Sequence, residues 1–369
     1  MLKHIKIIIV NVLTLVALAV GLLLVAVGYS DRIPPAAHPW VACAGMGMPA
    51  VLVLNLAMLL VMLSVCWRRA WIPVAAFAIA YMPIRTYLPL HLPVDETDTR
   101  GSDVLRLMTY NVCGYGGNYK YEQGLDTVTA YVMAQDMDVV CIQEEQCTKF
   151  KAVERWQELY PYNDTLIVSA IKTGCINAIG IHSRLPIVKR ELIDYESSSN
   201  GSIAYYLLRG SDTIIVVNNH LEATHLTDKE RDEYSEILKG NKERQEAKEE
   251  LFSLMRKIAE SMVKRAPEAM AVHRYVETHK DRYPIIVCGD FNDTPISYTR
   301  YTVAKGLTDC FAEAGCGLGL SYNRKGFNFR IDHIFCTSQF TPLSCKVDSK
   351  MDASDHYPMI CSMKMTNKH

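Results

Sequence analysis

The first hundred residues of the chain are mostly apolar, and this feature constrains the fold more than any other. The run from Ile5 to Val27 is about 23 residues long with few interruptions, and about 20 apolar residues suffice to cross a bilayer. A second run, Val41 to Cys66, is equally apolar and ends in Trp67-Arg68-Arg69, a pattern typical of a membrane interface. We expect both runs to span a membrane. A cleaved signal peptide is the alternative for the first, but that run is longer than a typical signal core and lacks a clear small-x-small cleavage site.

The third apolar segment, from Ala70 to about Leu90, decides on which side of the membrane the rest of the chain lies. It carries three prolines and an arginine, which leave about 15 uninterrupted apolar residues, fewer than a typical span. Lys3 and Lys6 lie on the same side as Arg68 and Arg69 if the first two runs cross, and the positive-inside tendency makes that side cytoplasmic. We expect the third segment to cross as well, which places everything after it outside the cytoplasm. If it does not cross, the remainder is cytosolic.

Charged residues mark the boundary between a membrane anchor and a polar domain. From Asp103 onwards the chain holds 36 of its 40 acidic and 32 of its 39 basic residues. We therefore assign residues 1–91 to the anchor, with two or three transmembrane helices, residues 92–103 to a turn-rich linker and residues 104–369 to a globular domain. The mild acidity of this domain argues against broad nucleic-acid binding, which needs a positive surface.

The twelve cysteines show neither CxxC pairs nor clustering with histidine, so they do not indicate a zinc site. A disulfide framework would require export of the domain. Otherwise Cys141 and Cys288, which lie inside apolar runs, are expected to be small core residues.

Short runs of β-forming residues alternate with helical stretches in the polar portion. A long charged segment between His225 and Tyr283 carries apolar residues at helical spacing, which predicts an amphipathic helix packed on a sheet. Many short strands with a few helices favour an α/β or α+β sandwich. The predicted strands are 105–110, 139–143, 176–183, 203–208, 213–218, 285–288, 333–336 and 359–363.

Polar side chains follow the predicted strands where each one ends. Asn111 ends the first strand, and Glu144 comes directly after the second. Carboxylate and amide oxygens are the ligands that a hard cation such as Mg²⁺ prefers. These two residues are therefore candidate metal ligands, although each by itself also fits a cap or a solvated strand end.

Other strand ends carry groups suited to acid and base chemistry. His220 follows one buried strand, and a glycine turn after another presents Asp290 and Asn292 on the same side of the chain. Asp332 and His356 supply a carboxylate and a histidine that could form the pair that general-base catalysis needs. A single histidine is more often structural, so it is the combination that points to function.

These motifs, taken in order, resemble the endonuclease/exonuclease/phosphatase superfamily, whose members include deoxyribonuclease I. The resemblance runs from about residue 105 to residue 363 as strand-Asn, strand-Gln-Glu, strand-x-His, Gly-Asp-Phe-Asn, Arg-Ile-Asp-His and Ser-Asp-His. It implies a four-layered α/β sandwich, with two packed sheets flanked by helices. It also implies Mg²⁺-dependent hydrolysis of a phosphodiester, with Mn²⁺ as a substitute.

The resemblance assigns metal-binding roles by motif position. It implies that Glu144 is the principal ligand, that Asn111 belongs to the same site, and that Asp355 lies near this metal or a second one. One position departs from the pattern, because Cys113 stands where abasic-site endonucleases often have an acidic residue. This departure disfavours a DNA-repair nuclease, and the substrate motifs of inositol 5-phosphatases also have no convincing counterpart.

The resemblance assigns catalytic roles in the same way. Asp290 and Asn292 would orient the attacking water and the phosphoryl oxygens. His356, polarised by Asp332, would act as a base or contact the phosphate. His220 would stabilise or protonate the leaving oxygen.

The substrate is not determined by these residues. A tethered domain with a nearly neutral charge favours a lipid headgroup or another membrane-proximal phosphoester, with the bilayer itself as partner. An exported or membrane-tethered nuclease acting on nucleic acid is the first alternative. A non-catalytic binding relative is the second, and it is disfavoured because buried acids that repel one another have no purpose in such a protein.

Overall fold

The computed structural model describes residues 2–92, 101, 103–117, 120–146, 150–170, 176–197, 200–324 and 326–366. Its helices are α1 (Leu2–Gly28), α2 (Pro39–Ala42), α3 (Met48–Cys66), α4 (Trp71–Ile79), α5 (Tyr81–Tyr87), α6 (Tyr121–Gln135), α7 (Phe150–Leu159), α8 (Asp228–Leu238), α9 (Arg244–His279), α10 (Tyr298–Val303) and α11 (Cys310–Ala314). Its strands are β1 (Val104–Asn111), β2 (Val139–Gln143), β3 (Tyr162–Ala170), β4 (Ile176–Ser183), β5 (Ile187–Leu192), β6 (Gly201–Arg209), β7 (Asp212–His220), β8 (Ile285–Asp290), β9 (Thr308–Asp309), β10 (Tyr322–Arg324), β11 (Phe327–Phe329), β12 (Asp332–Cys336), β13 (Phe340–Val347) and β14 (Met359–Met365).

Helices α1 to α5 form the N-terminal bundle. Two helical stretches in it, His4–Arg32 and Pro39–Arg69, are long and apolar enough to cross a membrane, judged by length and composition. Most of their apolar surface faces outward: Leu15, Leu22 and Leu60 each keep more than 60% of their surface exposed (67%, 69% and 61%). Such an apolar exterior is unusual for a water-soluble bundle and is normal for helices surrounded by lipid.

The third apolar segment folds as α4 and α5, two short helices that meet at Ala80. The break has a chemical cause, since Pro83 has no N–H to donate to the carbonyl of Ile79. The hydroxyl of Tyr29 donates to that carbonyl instead, at 2.7 Å. The side chain of Asn55 on α3 likewise donates to the carbonyl of Pro73, at 3.1 Å. The prolines therefore break the segment while neighbouring helices satisfy backbone groups near the breaks.

The direction of α4 and α5 follows from their contacts with α1. A Cβ added to Gly21 would lie 3.0 Å from the Cβ of Ala76, and one added to Gly28 would lie 3.1 Å from the Cβ of Pro83. From the first of these contacts to the second, the residue number rises by seven in both segments. Helices α4 and α5 therefore run parallel to α1. The chain consequently leaves the bundle at the end where α1 finishes.

The polar domain contains two six-stranded mixed sheets. Their strand orders are β13-β14-β1-β2-β4-β3 and β5-β6-β7-β8-β12-β9. Side chains such as Leu107 and Cys141 from the first sheet and Val216 and Cys288 from the second pack face to face in one buried cluster. Cys141 and Cys288 are fully buried, as the sequence predicted.

Helices cover the outer face of each sheet. Val128 of α6 and Trp156 of α7 pack on the first sheet, while Ala269 and Val272 of α9 pack on the second. The layers are therefore helix, sheet, sheet and helix, which confirms the four-layered α/β sandwich. All eight predicted strands are present with ends within two residues of the prediction, and the predicted amphipathic helix lies within α9. Most of the predicted linker, residues 93–100 and 102, lies outside the described residues.

The N-terminal bundle packs directly on this sandwich. The buried guanidinium of Arg330 donates to the backbone carbonyls of Thr86 and Tyr87 at the end of α5. Arg85 forms an ion pair with Glu313 of α11. The end of the bundle is thus fixed to the segment that leads into β12.

Candidate active site

The strand registers bring three of the predicted site residues together. His220 at the end of β7 pairs with Asp290 at the end of the parallel strand β8. Asp332 at the start of β12 pairs with the same Asp290 from the antiparallel side. Because partners in register are neighbours on the sheet, these three residues are held side by side.

The other sheet contributes the opposite side of the site. Asn111 pairs with Gln143 in the parallel register of β1 and β2, which places it beside Glu144. The amide nitrogen of Asn111 donates to Glu144 Oε1 and to Asp290 Oδ2, both at 3.0 Å. One side chain therefore joins the two sheets at the place where their acidic residues meet.

The backbone around the site adopts rare conformations. Glu144, Asn292 and Cys113 have positive φ angles of 53°, 51° and 47°, a region that residues other than glycine seldom occupy. Gly289 has a φ of 133°, and a Cβ there would lie 2.0 Å from the carbonyl oxygen of Asn219. Strain of this kind clusters where side chains must be aimed precisely, and here it turns Glu144 and Asp290 toward each other.

The two acidic residues carry perturbed pKa values. Burial, followed by the repulsion of Asp332, raises the pKa of Asp290 to about 6 despite the opposing attraction of His356 and His220. Burial also raises the pKa of Glu144, whose carboxylate is recessed in the pocket while 38% of its side chain remains exposed. Two carboxylates held this close repel each other, so a bound cation would stabilise both.

Asp332 and His356 form a hydrogen-bonded pair. Nδ1 of His356 lies 2.9 Å from Asp332 Oδ2, and its Nε2 lies 3.6 Å from Asp290 Oδ2. Burial by itself would lower the pKa of His356, but the attraction of Asp332 and Asp290 outweighs it and raises the pKa to about 10. The imidazole is therefore protonated at neutral pH and directs a positive N–H toward the acidic site.

His220 faces the same centre in a different protonation state. Its Nε2 is 3.6 Å from Glu144 Oε1 and 3.8 Å from Asp290 Oδ2. Burial lowers its pKa more than the nearby carboxylates raise it. The site thus combines a neutral and a charged imidazole on either side of Asp290.

Asn292 and Asp355 complete the predicted set. The backbone N–H of Asn292 donates to Asp290 Oδ1 at 2.8 Å, and its side chain donates to the carbonyl of Leu221 at 3.0 Å. Asp355 pairs with the guanidinium of Arg324 at 3.2 Å. Asn111, His220 and Asp332 lie directly behind the others. Five predicted residues line one pocket of about 340 Å³, namely Glu144, Asp290, Asn292, Asp355 and His356.

Comparisons with known proteins identify the family of the chain. Residues 108–356 match the Endonuclease/Exonuclease/phosphatase family. The chain belongs to the endonuclease/exonuclease/phosphatase family. Members of this family are generally phosphoester hydrolases and typically depend on a divalent metal. Residues 8–87 match a second family, described as a domain of unknown function, and no curated protein matches the sequence.

Solved structures support the family fold. An endonuclease/exonuclease/phosphatase from Beutenbergia cavernae is 16% identical with a TM-score of 0.52, over 72% of this chain and 72% of that one. D. rerio TDP2 complexed with a single-strand DNA product is 14% identical with a TM-score of 0.51, over 71% and 99%. The human Nocturnin catalytic domain with a bound sulfate is 15% identical with a TM-score of 0.50, over 72% and 95%. At these identities the likeness concerns the fold.

The side chains at the centre suit a hard divalent cation of the kind the family uses. Glu144 and Asp290 direct carboxylate oxygens at one point, and such oxygens are preferred ligands for Mg²⁺. Within the described part of the chain, neither carboxylate forms an ion pair with a lysine or an arginine. Asn111 lies between them, with its amide oxygen accepting from the Cys113 N–H at 3.0 Å. Apart from the His356 imidazole beside Asp290, the negative charge at this point would be neutralised by a bound cation.

A second cluster of potential ligands shares Asp290 with the Glu144–Asp290 pair. Ligand atoms of Asp290, Asp332 and His356 all lie within 4.8 Å of one another. Nδ1 of His356 is bonded to Asp332, so only its Nε2 faces the site, 3.6 Å from Asp290 Oδ2. Asp290 is shared between this group and Glu144 and is therefore a further candidate ligand beside Glu144, Asn111 and Asp355, which the sequence had assigned to the metal.

The pocket lining also includes residues that the sequence did not single out, and three of them matter for its chemistry. Arg231 and Arg324 bring positive charge to the rim of the pocket, and Met46 brings a side chain from the N-terminal bundle. Two arginines in a charged region and one methionine in an apolar region carry no distinguishing pattern. Cys113, which replaces a family acid, also lines the pocket, and burial raises the pKa of its thiol, so this position adds no negative charge.

Proposed function

We propose that this protein is a membrane-anchored, Mg²⁺-dependent phosphodiesterase, with Mn²⁺ able to replace Mg²⁺. The observation that carries the proposal is the meeting of Glu144 and Asp290 at Asn111, with the Asp332–His356 pair beside them. Glu144 and Asp290 would hold the ion, and Asn111 would position both carboxylates through its amide nitrogen. When bound, the ion supplies positive charge that offsets the charge of the phosphodiester and of its leaving oxygen.

The side chains around the ion would carry out the proton transfer, contact the phosphate and stabilise the leaving group. Asp290 would hold the ion through one carboxylate oxygen and would accept the proton of the attacking water with the other. His356 is protonated and presents Nε2–H to a phosphoryl oxygen, while Asp332 fixes the orientation of its ring. Asn292 keeps Asp290 aligned through its backbone N–H, and His220 lies where it can hydrogen-bond the leaving oxygen.

We also propose that the catalytic domain lies outside the cytoplasm. The sandwich contacts the end of α1, the start of α3 and the end of α5, all at one end of the bundle. The cations Arg68 and Arg69 follow α3 at the other end, where Arg69 donates to Asn11 and Thr14 of α1. By the positive-inside tendency, the arginine end is cytoplasmic. Alkaline phosphatase fused after the full chain should be active and the same enzyme fused after Arg69 inactive, whereas an inactive fusion after the full chain would place the domain in the cytosol.

The function is tested with the full chain purified in detergent. With Mg²⁺, we expect hydrolysis of bis(p-nitrophenyl) phosphate and of phospholipid headgroups in vesicles, and we expect excess EDTA to abolish both. Plasmid DNA incubated in parallel tests the nuclease alternative, and p-nitrophenyl phosphate tests for monoesterase activity. Turnover that persists in EDTA would contradict the metal-dependent mechanism. A protein that hydrolyses none of the four substrates, with or without Mg²⁺, would favour the binding-protein alternative.

A further inference from the structure

The loop that follows Asp290 inserts into the N-terminal bundle. Ile296, six residues after Asp290, is 1% exposed and is buried among bundle side chains that include Leu24, Met48 and Tyr87. The intervening Asp293 and Thr294 line the active-site pocket. One short segment is therefore in contact with the catalytic centre at one end and with the bundle at the other.

Gly45 holds this loop through a close backbone contact. It lies in the turn Cys43–Gly47 between α2 and α3, and a Cβ at Gly45 would stand 1.8 Å from the carbonyl oxygen of Ile296. A separation below 3 Å cannot be accommodated without moving one of the two backbones. Gly47, in the same turn, has no atom within 4 Å of its own added Cβ. The two glycines lie in the same turn, and of their added Cβ atoms the one at Gly45 meets the catalytic loop.

Met46 extends the same turn into the pocket. It lines the cavity together with Glu144, Asp290 and His356. Its neighbours there are apolar, because Ile258, Met262 and Phe327 form one buried cluster against which Met46 packs. Cys43 fixes the turn to this cluster, with its sulfur 3.8 Å from that of Met262. The pocket therefore has an acidic floor and an apolar wall, and part of the wall comes from the bundle.

The chemistry of the two sides points to an amphiphilic substrate. The floor suits a phosphodiester that a metal neutralises, and Arg231 and Arg324 in the same lining add positive charge for its anionic group. The wall of methionine, isoleucine and phenylalanine stabilises apolar groups by burial. Met46 lies in the turn just before α3, whose outer surface is apolar, so a lipid in the same membrane would lie near it.

We propose that Gly45 is a positioning residue for the Asp290 loop and that Met46 is a specificity-determining residue that contacts the apolar part of a lipid phosphodiester. This inference rests on the function proposed above. It makes the N-terminal bundle a part of the active site in addition to a tether.

The test uses full-length protein in detergent with Mg²⁺, assayed on bis(p-nitrophenyl) phosphate and on phosphatidylcholine vesicles. Gly45→Ala should lower kcat on both substrates at least ten-fold, since the added methyl group displaces the loop, while the matched Gly47→Ala should retain wild-type rates. Met46→Gln should lower kcat/KM on vesicles at least ten-fold more than on the soluble diester. Met133→Gln, an exposed methionine on α6, is the control for that substitution.

The outcomes separate this inference from the function on which it rests. An active wild type in which Gly45→Ala behaves as Gly47→Ala does would overturn the positioning role. Equal losses on the two substrates in Met46→Gln would overturn the specificity role and can be measured even if Gly45→Ala fails to fold. A wild type inactive on both diesters removes the proposed function itself, and this inference with it.

Discussion

Glu144→Ala should lower kcat on bis(p-nitrophenyl) phosphate by on the order of a thousand-fold, because the charge of the metal that Glu144 is proposed to hold would be worth several kcal/mol to the transition state. The fold should remain intact. The Glu144 side chain is 38% exposed and is repelled by its acidic neighbours, so its removal takes away little stabilising contact. Steady-state kinetics and thermal unfolding of the same preparation measure the two effects.

The adjacent Glu145 provides a contrasting control. Its buried carboxylate lies 3.3 Å from His182 Nε2 and accepts hydrogen bonds from Thr165 at 2.9 Å and from Tyr115 at 3.2 Å. Leaving buried hydrogen-bonding groups without their partners costs about 1–3 kcal/mol, so Glu145→Gln should lower the melting temperature while the folded fraction keeps its activity. If Glu144→Ala unfolds the protein while Glu145→Gln leaves it folded but inactive, then Glu145 has the catalytic role and Glu144 the structural one.

His356→Ala should lower kcat by about 10² to 10⁴-fold, the range typical of a lost acid or base group. The imidazole supplies both a proton and a positive charge next to Asp290, from which its Nε2 is 3.6 Å away.

Asp332→Asn should cause a smaller loss of kcat, because the His356 ring remains but the Asp332 carboxylate that raises the pKa of His356 is gone. Measured over pH, the Asp332→Asn enzyme should lose activity at a lower pH than the wild type, since its histidine deprotonates earlier.

The order of these effects is as informative as their size. An Asp332→Asn enzyme with an unchanged pH profile would show that the pair does not control the protonation of His356. Near-normal turnover in His356→Ala would remove the histidine from the catalytic set altogether. His38→Ala, which replaces a histidine outside the pocket, is the control for loss of an imidazole.

The sequence was a good guide where a residue follows a buried strand. Runs such as Ile285–Cys288 can be recognised from their apolar content, and strand pairing then brings their polar ends together, as in the register of His220 with Asp290. Strand β5 was missed because Lys189 and Arg190 are exposed on a sheet edge and break the apolar pattern. Strand β3, which also lies at a sheet edge, was missed for a similar reason.

Contacts between distant segments were beyond sequence reasoning. The sequence around Gly45 does not indicate that this residue contacts Ile296. The presence of Pro83 does not indicate that the Tyr29 hydroxyl donates to the carbonyl of Ile79, which Pro83 leaves without a helical partner. The hydrogen bonds from Asn111 to two carboxylates likewise depend on how the two sheets face each other. Contacts of this kind depend on how distant segments pack together, whereas the positions of the strand ends can be predicted from the local sequence pattern.

The most direct measurement of the proposed metal centre is anomalous diffraction from crystals of the full-length protein soaked in Mn²⁺. We expect one strong peak within coordination distance of the carboxylates of Glu144 and Asp290 in the wild type, and no peak there in Glu144→Ala. A wild-type peak found elsewhere, or an unchanged peak in the variant, would contradict a phosphodiesterase centre built on these two residues.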